Sequence, residues 1–386
     1  MQNPILKNFN LVKFHIGCKN ENCPELFIDT WKIETTEEYD TGRTTLRDVT
    51  DKEHKIEHSE EERYLGDLVT SDGKNSKNMK ARRAKGVGIT NQIISFLNEV
   101  FFGPYYFQVA VMLRSSQLLN SILLNSESWY NLTSSDIQEL ESVDNMLLRQ
   151  ILESGKSTPV SILHLELGTI PIRFVIKSRH LMFLQFILKQ DKDSLLHKFF
   201  STQSNYPQRG DWVLQIIQDL NEVNLNLTFS EISEMSKYAF KSLVNKAIKQ
   251  LAFNWLLSEK NRPRSSTLPK GSELNYNQLR LQDYLLPNSM KIKQCKLLFS
   301  LRARMVHVRC NFKNSYADLT CPICKDPTHQ DTQFHILQCK QLLENENILV
   351  GNKIPYSDLF SKDVKKQSVV TLIFEKLLEK RRKMEK

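Results

Sequence analysis

Cys321-Pro322-Ile323-Cys324 places two thiols a turn apart, and His335 and Cys339 follow downstream. His335 and Cys339 are four residues apart, so a helix over 334–343 sets both on one face. A turn-borne cysteine pair facing a helical His/Cys pair can close a tetrahedral zinc site. Four protein ligands leave no open position for water, so such a zinc is structural rather than catalytic. His329 competes with His335 for the nitrogen position. The rival reading of Cys-x-x-Cys is a redox pair, but no thioredoxin-like βαβ pattern surrounds it. The chain has seven cysteines, an odd number. With no signal-peptide core at the N-terminus, the expected setting is intracellular, nuclear or cytoplasmic, where thiols stay reduced.

The second chemistry is charge. Lys+Arg number 53 against 44 Asp+Glu, a formal charge of +9 over 386 residues. The surplus is uneven. Residues 1–63 carry −5, residues 74–88 carry +6 with no acid, residues 241–313 carry +12, and residues 362–386 carry +5. Trp255, Tyr276, Tyr284, Phe299 and Phe312 interleave with the +12 stretch. Bases neutralise phosphates and aromatic rings stack on unpaired bases, so RNA or DNA is the expected partner. The alternative is a solvated helical surface with these aromatics in the core. Candidate phosphate contacts are Lys74, Lys77, Lys80, Arg82, Arg83 and Lys85. A second set is Lys291, Lys293, Lys296, Arg302, Arg304 and Arg309.

Other chemistries lack their residues. No Asp-Asp pair occurs, and two-metal phosphoryl transfer needs paired carboxylates. Tyr316-Ala317-Asp318 is followed by Leu319 where a second acid would be required. A phosphate-binding Gly-rich loop ending in Lys-Ser/Thr and a Gly-x-Ser-x-Gly elbow are both absent. No apolar run reaches the roughly 18 residues of a membrane helix. No small-molecule substrate is evident. Asp358, Asp363, Lys365 and Lys366 have the residue types of a nuclease site but read as surface.

The elements that must position these groups are mainly α. Short strands are expected at Leu11–Phe14, Leu26–Ile28 and Tyr64–Val69, the last closed by a turn at Ser71-Asp72-Gly73. Apolar spacing then predicts helices over 79–98, from Pro104 to 125, and through Ile137, Leu140, Val143, Leu147 and Ile151 after caps at 133–135. Pro159 is expected at a first helical position after Thr158 as cap, and Pro171 begins a helix expected over 172–189. Asp211 is expected to cap 212–221. Further helices are expected from Ser230 through Leu243 and on to Leu257, over 290–305, and from 362 to the basic end. The linker is 262–271. The resulting divisions are 1–70, 71–200, 201–310, a Cys/His unit at 311–345, and a basic helix at 346–386.

Several stretches, in order along the chain, resemble one family. They are Tyr64-Leu65-Gly66-Asp67 with Ser71-Asp72-Gly73-Lys74-Asn75; Ile122 through Trp129-Tyr130; Leu163-His164-Leu165-Glu166-Leu167-Gly168-Thr169-Ile170-Pro171-Ile172; Met235-Ser236-Lys237; Leu301 to Phe312; and the Cys/Cys/His/Cys cluster. Together they are similar to the region after the reverse-transcriptase active site of non-LTR retrotransposons, closest to Dong-like elements. The resemblance implies the end of a polymerase palm at 1–70, a helical thumb and linker bundle beyond it, and a zinc knuckle ligated by Cys321, Cys324, His335 and Cys339. It implies contact with template RNA, primer or target DNA. The catalytic aspartates of that family lie upstream of the matching region, so no polymerase or nuclease activity is expected of this chain. The alternatives are part of a longer active RNA-directed DNA polymerase, or a structural or non-functional remnant.

Overall fold

The computed structural model describes residues 43–47, 53–57, 59–64, 66–100, 103–206, 210–261, 274, 276–344 and 356–385. The expected strands at 11–14 and 26–28 and the linker at 262–271 lie outside them. The chain divides into two compact units, Met1–Ala81 and Arg82–Lys386.

In the first unit, β1 (Arg43–Arg47) pairs antiparallel with β2 (Glu53–Glu57), with Leu46 opposite His54. A separate hairpin joins β3 (Glu61–Tyr64) to β4 (Asp67–Thr70). The single strand expected over Tyr64–Val69 is thus the turn and second arm of a hairpin. Gly66 permits the reversal with φ +92. The predicted turn follows β4: Gly73 N–H donates to the Thr70 carbonyl, and Asp72 caps the Lys74 N–H. Helix α1 (Ser76–Ser95) then begins.

The second unit is helical among its described residues. α2 (Tyr106–Leu113) runs through a π-wound segment, Arg114–Leu119, into α3 (Asn120–Ile122). α4 (Ser134–Leu152) opens on a capping box: Thr133 Oγ1 accepts from Asp136 N–H, and the Asp136 carboxylate accepts from Thr133 N–H. α5 (Val160–Leu167) and α6 (Ile172–Leu188) follow. Pro159 occupies the N-cap position with extended ψ, one place earlier than predicted, and Pro171 leads into a helix that starts at Ile172 as expected. α7 (Leu195–Asn205), α8 (Trp212–Glu222) and α9 (Phe229–Glu234) come next. Asp211 stands at the α8 N-cap without a side-chain cap bond to the helix.

The helix expected from Ser230 onward is two helices. Met235 is extended, and Ser236 Oγ accepts from Ala239 N–H to start α10 (Lys237–Lys260). α11 (Ile292–Arg302), α12 (Gln333–Ile336), α13 (Lys340–Leu343) and α14 (Val364–Met384) complete the chain.

Two packing centres form. α6 touches α4, α7, α8, α9 and α10, and α14 touches α11, α12 and α13. They are joined at α5. Gln282 N–H donates to the Glu166 carbonyl, and Leu167 bridges Leu281. Gly168 closes α5 at φ +65 with the Arg280 backbone against it. A Cβ there would lie 2.2 Å from the Arg280 carbonyl carbon, so only glycine fits. No helix among the described residues is long and apolar enough to cross a membrane.

Candidate metal centre

Thr320 and Gln330 form an antiparallel bridge, and Asp331 N–H donates to the Leu319 carbonyl. This narrow ribbon carries the Cys321–Cys324 turn at its tip. Cys321 N–H donates to the His329 carbonyl, and Lys325 N–H returns to the Cys321 carbonyl. Lys325 takes φ +52 to finish the turn. The opposite wall is helical: Thr332 Oγ1 accepts from His335 N–H and caps α12. The predicted helix over 334–343 is broken after Ile336, and Cys339 is the extended N-cap of α13. Cys339 N–H still reaches the His335 carbonyl at 2.7 Å, which preserves their shared side.

One ligand atom each from Cys321, Cys324, His335 and Cys339 lies within 4.8 Å of the other three. A tetrahedral zinc with bonds of about 2.3 Å separates sulfur ligands by roughly 3.8 Å, close to this spread. Cys324 Sγ is 3.4 Å from His335 Nε2, so Nε2 is the nitrogen that faces the thiols. Cys321, His335 and Cys339 are buried and Cys324 half-buried. Burial pushes the Cys321 thiol up to about 11, because a low-dielectric surrounding disfavours the thiolate. Burial, then the neighbouring His329, lowers the His335 pKa and favours the neutral imidazole that ligation needs. Three thiols and one neutral imidazole form a donor set that could hold a metal ion and is compatible with zinc.

His329 is placed differently. Its Nδ1 pairs with the Asp326 carboxylate at 3.2 Å, and its exposed ring lies 4.9 Å from the His335 ring. It covers the ligand and is not grouped with the four donors. Cys295 is remote and donates to the Tyr284 carbonyl, and Cys310 is half-buried against Gln330.

Asp331 anchors the ribbon to α14. Its two oxygens take both terminal nitrogens of Arg381 at 2.6 and 2.8 Å, and Oδ2 also accepts from Arg309 N–H. Both side chains are buried. Lys380 donates to the Leu342 and Glu344 carbonyls from the same helix. Nothing in the spacing signals this clamp, because its partners are 50 residues apart.

The predicted phosphate contacts divide. Lys74, Lys77, Lys80, Arg83 and Lys85 are exposed. Lys74 pairs with Asp72, Lys77 with Glu61 and Arg83 with Glu139. Arg82 corrects the expectation: it is buried, donates to the Ile122 carbonyl at 3.1 Å and lies over Trp129. In the second set Lys291 and Lys293 are exposed, and Lys293 pairs with Glu375. Lys296 and Arg302 are not surface groups. Lys296 is buried over Tyr106 and bonds Glu153 at 2.6 Å. Arg302 is buried and bonds Glu166 at 3.0 Å and the Leu359 carbonyl at 3.1 Å. Arg304 is half-buried, and Arg309 pairs with Asp318. Charge counting locates these bases but cannot see that Arg82, Lys296 and Arg302 are buried against partners from distant segments. Asp363 caps α14 through the Lys365 N–H. The exposed lysines of α10 are missing from the sequence candidates, although their spacing along one helix is readable.

Two of the stretches that carry the resemblance, 122–130 and 163–172, include packing contacts. Arg179 donates to the Leu123 carbonyl and to Asn120 Oδ1, which cinches the turn before the buried Trp129. His164 bonds Thr169 across the end of α5. No family model, curated protein or solved structure matches the chain.

Proposed function

We propose that this chain is a zinc-ordered, mainly helical nucleic-acid-binding module related to the C-terminal region of a non-LTR retrotransposon reverse transcriptase. The observation that carries the reading is the Cys321, Cys324, His335 and Cys339 set, whose donor atoms converge within 4.8 Å. Zinc bound there supplies structural cross-linking of ribbon to helix. The chain's own residues do the rest. Exposed lysines and arginines of α1 and the C-terminal helix neutralise phosphates, and the Asp331–Arg381 clamp holds α14 against the ligand-bearing ribbon. The sequence contains no Asp-Asp pair, so the role assigned is binding and not phosphoryl transfer.

The test has two arms. Metal analysis of the purified chain is expected to find about one zinc per chain, falling below about half in Cys321→Ser. Binding to RNA and DNA, single- and double-stranded, is measured across a salt series. Affinity that falls steeply with salt supports the reading, because counterion release requires it. Absent or salt-independent binding refutes it.

A further inference from the structure

Between α6 and the start of α10 lies an open recess of about 450 Å³, lined mainly by apolar atoms. Phe183 and Phe186 sit on its α6 wall with ring centroids 5.9 Å apart and planes only 12° from parallel. Phe186 is 53 % exposed, so one face of its ring is open to solvent beside the recess. The rim carries Arg179, Lys189 and Lys237 against a single acid, Glu127. Lys189 is held in place by the Met235 carbonyl at 2.7 Å, which leaves two of its N–H donors for another partner.

Lys237 begins a cationic run on α10 in which Lys241 and Lys249 lie within about 120° of it around the helix axis, with Lys246 about 180° away. Lys241, Lys246 and Lys249 are exposed further along α10, and Tyr238 beside them is 86 % exposed. Among the described residues, none of these four lysines has a carboxylate partner. The run from Lys237 to Lys249 covers about 18 Å of helix. An apolar recess with a free aromatic face, opening onto unpaired positive charge, is complementary to a flat π-system attached to a polyanion. That describes an unpaired nucleotide in a strand. A duplex hides its base faces and would leave Phe186 without a partner.

We propose that this recess takes one unpaired base of a single-stranded nucleic acid, stacked on Phe186, while Lys237, Lys241 and Lys249 follow the adjoining phosphates. The proposal rests on the nucleic-acid-binding reading above and names a site for it away from the metal centre.

The experiment is fluorescence anisotropy on the full chain with labelled single-stranded RNA, single-stranded DNA and duplex, each over a salt series. Phe186→Ala is expected to weaken single-strand binding about ten-fold with an unchanged salt slope and little effect on duplex. Phe186→Trp keeps a ring and is expected to bind at least as well as the unmodified chain, which separates loss of stacking from loss of folding. Lys241→Gln with Lys249→Gln is expected to reduce the single-strand salt slope by about 1.4, near 0.7 for each phosphate no longer neutralised. The RNA and DNA arms identify which strand is preferred. If the unmodified chain binds single strands and Phe186→Ala binds them equally well, the recess is refuted while the broader reading stands. Equal loss on duplex and single strand in Phe186→Ala also refutes it. If the unmodified chain binds no nucleic acid, both readings fall together.

Discussion

Glu166 has no exposed surface, and its Oε1 accepts from Arg302 Nε at 3.0 Å and from the Tyr276 hydroxyl at 2.7 Å. Burial first, then the Glu166 charge, pushes the Tyr276 phenol well above its ordinary range, so it stays a donor. Removing one member of a buried ion pair strands the other. Glu166→Gln is therefore expected to cost about 3–5 kcal/mol in urea unfolding. Adding Arg302→Met should restore a large part of that, because no uncompensated charge remains. Additive losses in the double variant would contradict this account. His164 is a second buried group. Burial holds its pKa at about 4 against an unfolded value of 6.5. The native imidazole stays neutral while the unfolded one protonates, so stability falls as pH drops from 6.5 toward 4. From pH 6.5 to 5 the loss is on the order of 1–2 kcal/mol. His164→Gln should flatten that window, and equal slopes for both proteins would exclude His164 as the source. At the candidate metal centre, the proposed ligation predicts that His335→Ala loses bound metal and His329→Ala retains it. The two histidines are rivals in the sequence. They differ in the fold because Nε2 of His335 faces Cys324 while His329 turns to Asp326.

Element boundaries follow local chemistry where a cap is present. Thr133 and Ser236 each accept from an N–H three residues on, and a helix begins after each. The Ser236 cap explains why the expected single helix from 230 onward is split: Met235 must be extended to present it. Gly168 shows the opposite case. Its left-handed turn follows from a glycine after apolar helix residues, but its indispensability comes from the Arg280 backbone packed against it. Gly168→Ala is expected to destabilise by about 3 kcal/mol, from strain at positive φ together with backbone displacement. A thermal melt within a degree or two of the unmodified chain would show that the 280–282 segment yields instead. The helix expected over 334–343 fails for a related reason. Four-residue spacing is satisfied by two short helices joined by the Cys339-to-His335 backbone bond, so the ligand pair aligns without a continuous helix.

At the scale of the molecule, the metal-ligand ribbon and the C-terminal helix are one assembly. Asp331 is fixed by the Leu319 carbonyl on its backbone and by Arg381 on its side chain, and Gln333 reaches back to the Leu301 carbonyl. Chelation is therefore expected to remove hydrogen-exchange protection from residues 319–343 and from the last turns of α14, while α4, α5 and α6 remain protected. Unchanged protection in α14 would show that Asp331–Arg381 does not transmit the loss. Much of this is legible in the sequence: the mainly helical class, the four-ligand spacing, the capped start of α4 and the basic C-terminal helix. These depend on neighbours within a few residues, where period and side-chain reach suffice. The side of each base is not legible. Arg82, Lys296 and Arg302 count as positive charge in any window, yet they meet the Ile122 carbonyl, Glu153 and Glu166 across 40, 143 and 136 residues. The sequence by itself determined which residues could ligate metal and how much charge the chain carries. Only the tertiary structure decided which histidine faces the thiols and which cations remain at the surface, because a charge is surface or core according to what the chain brings beside it.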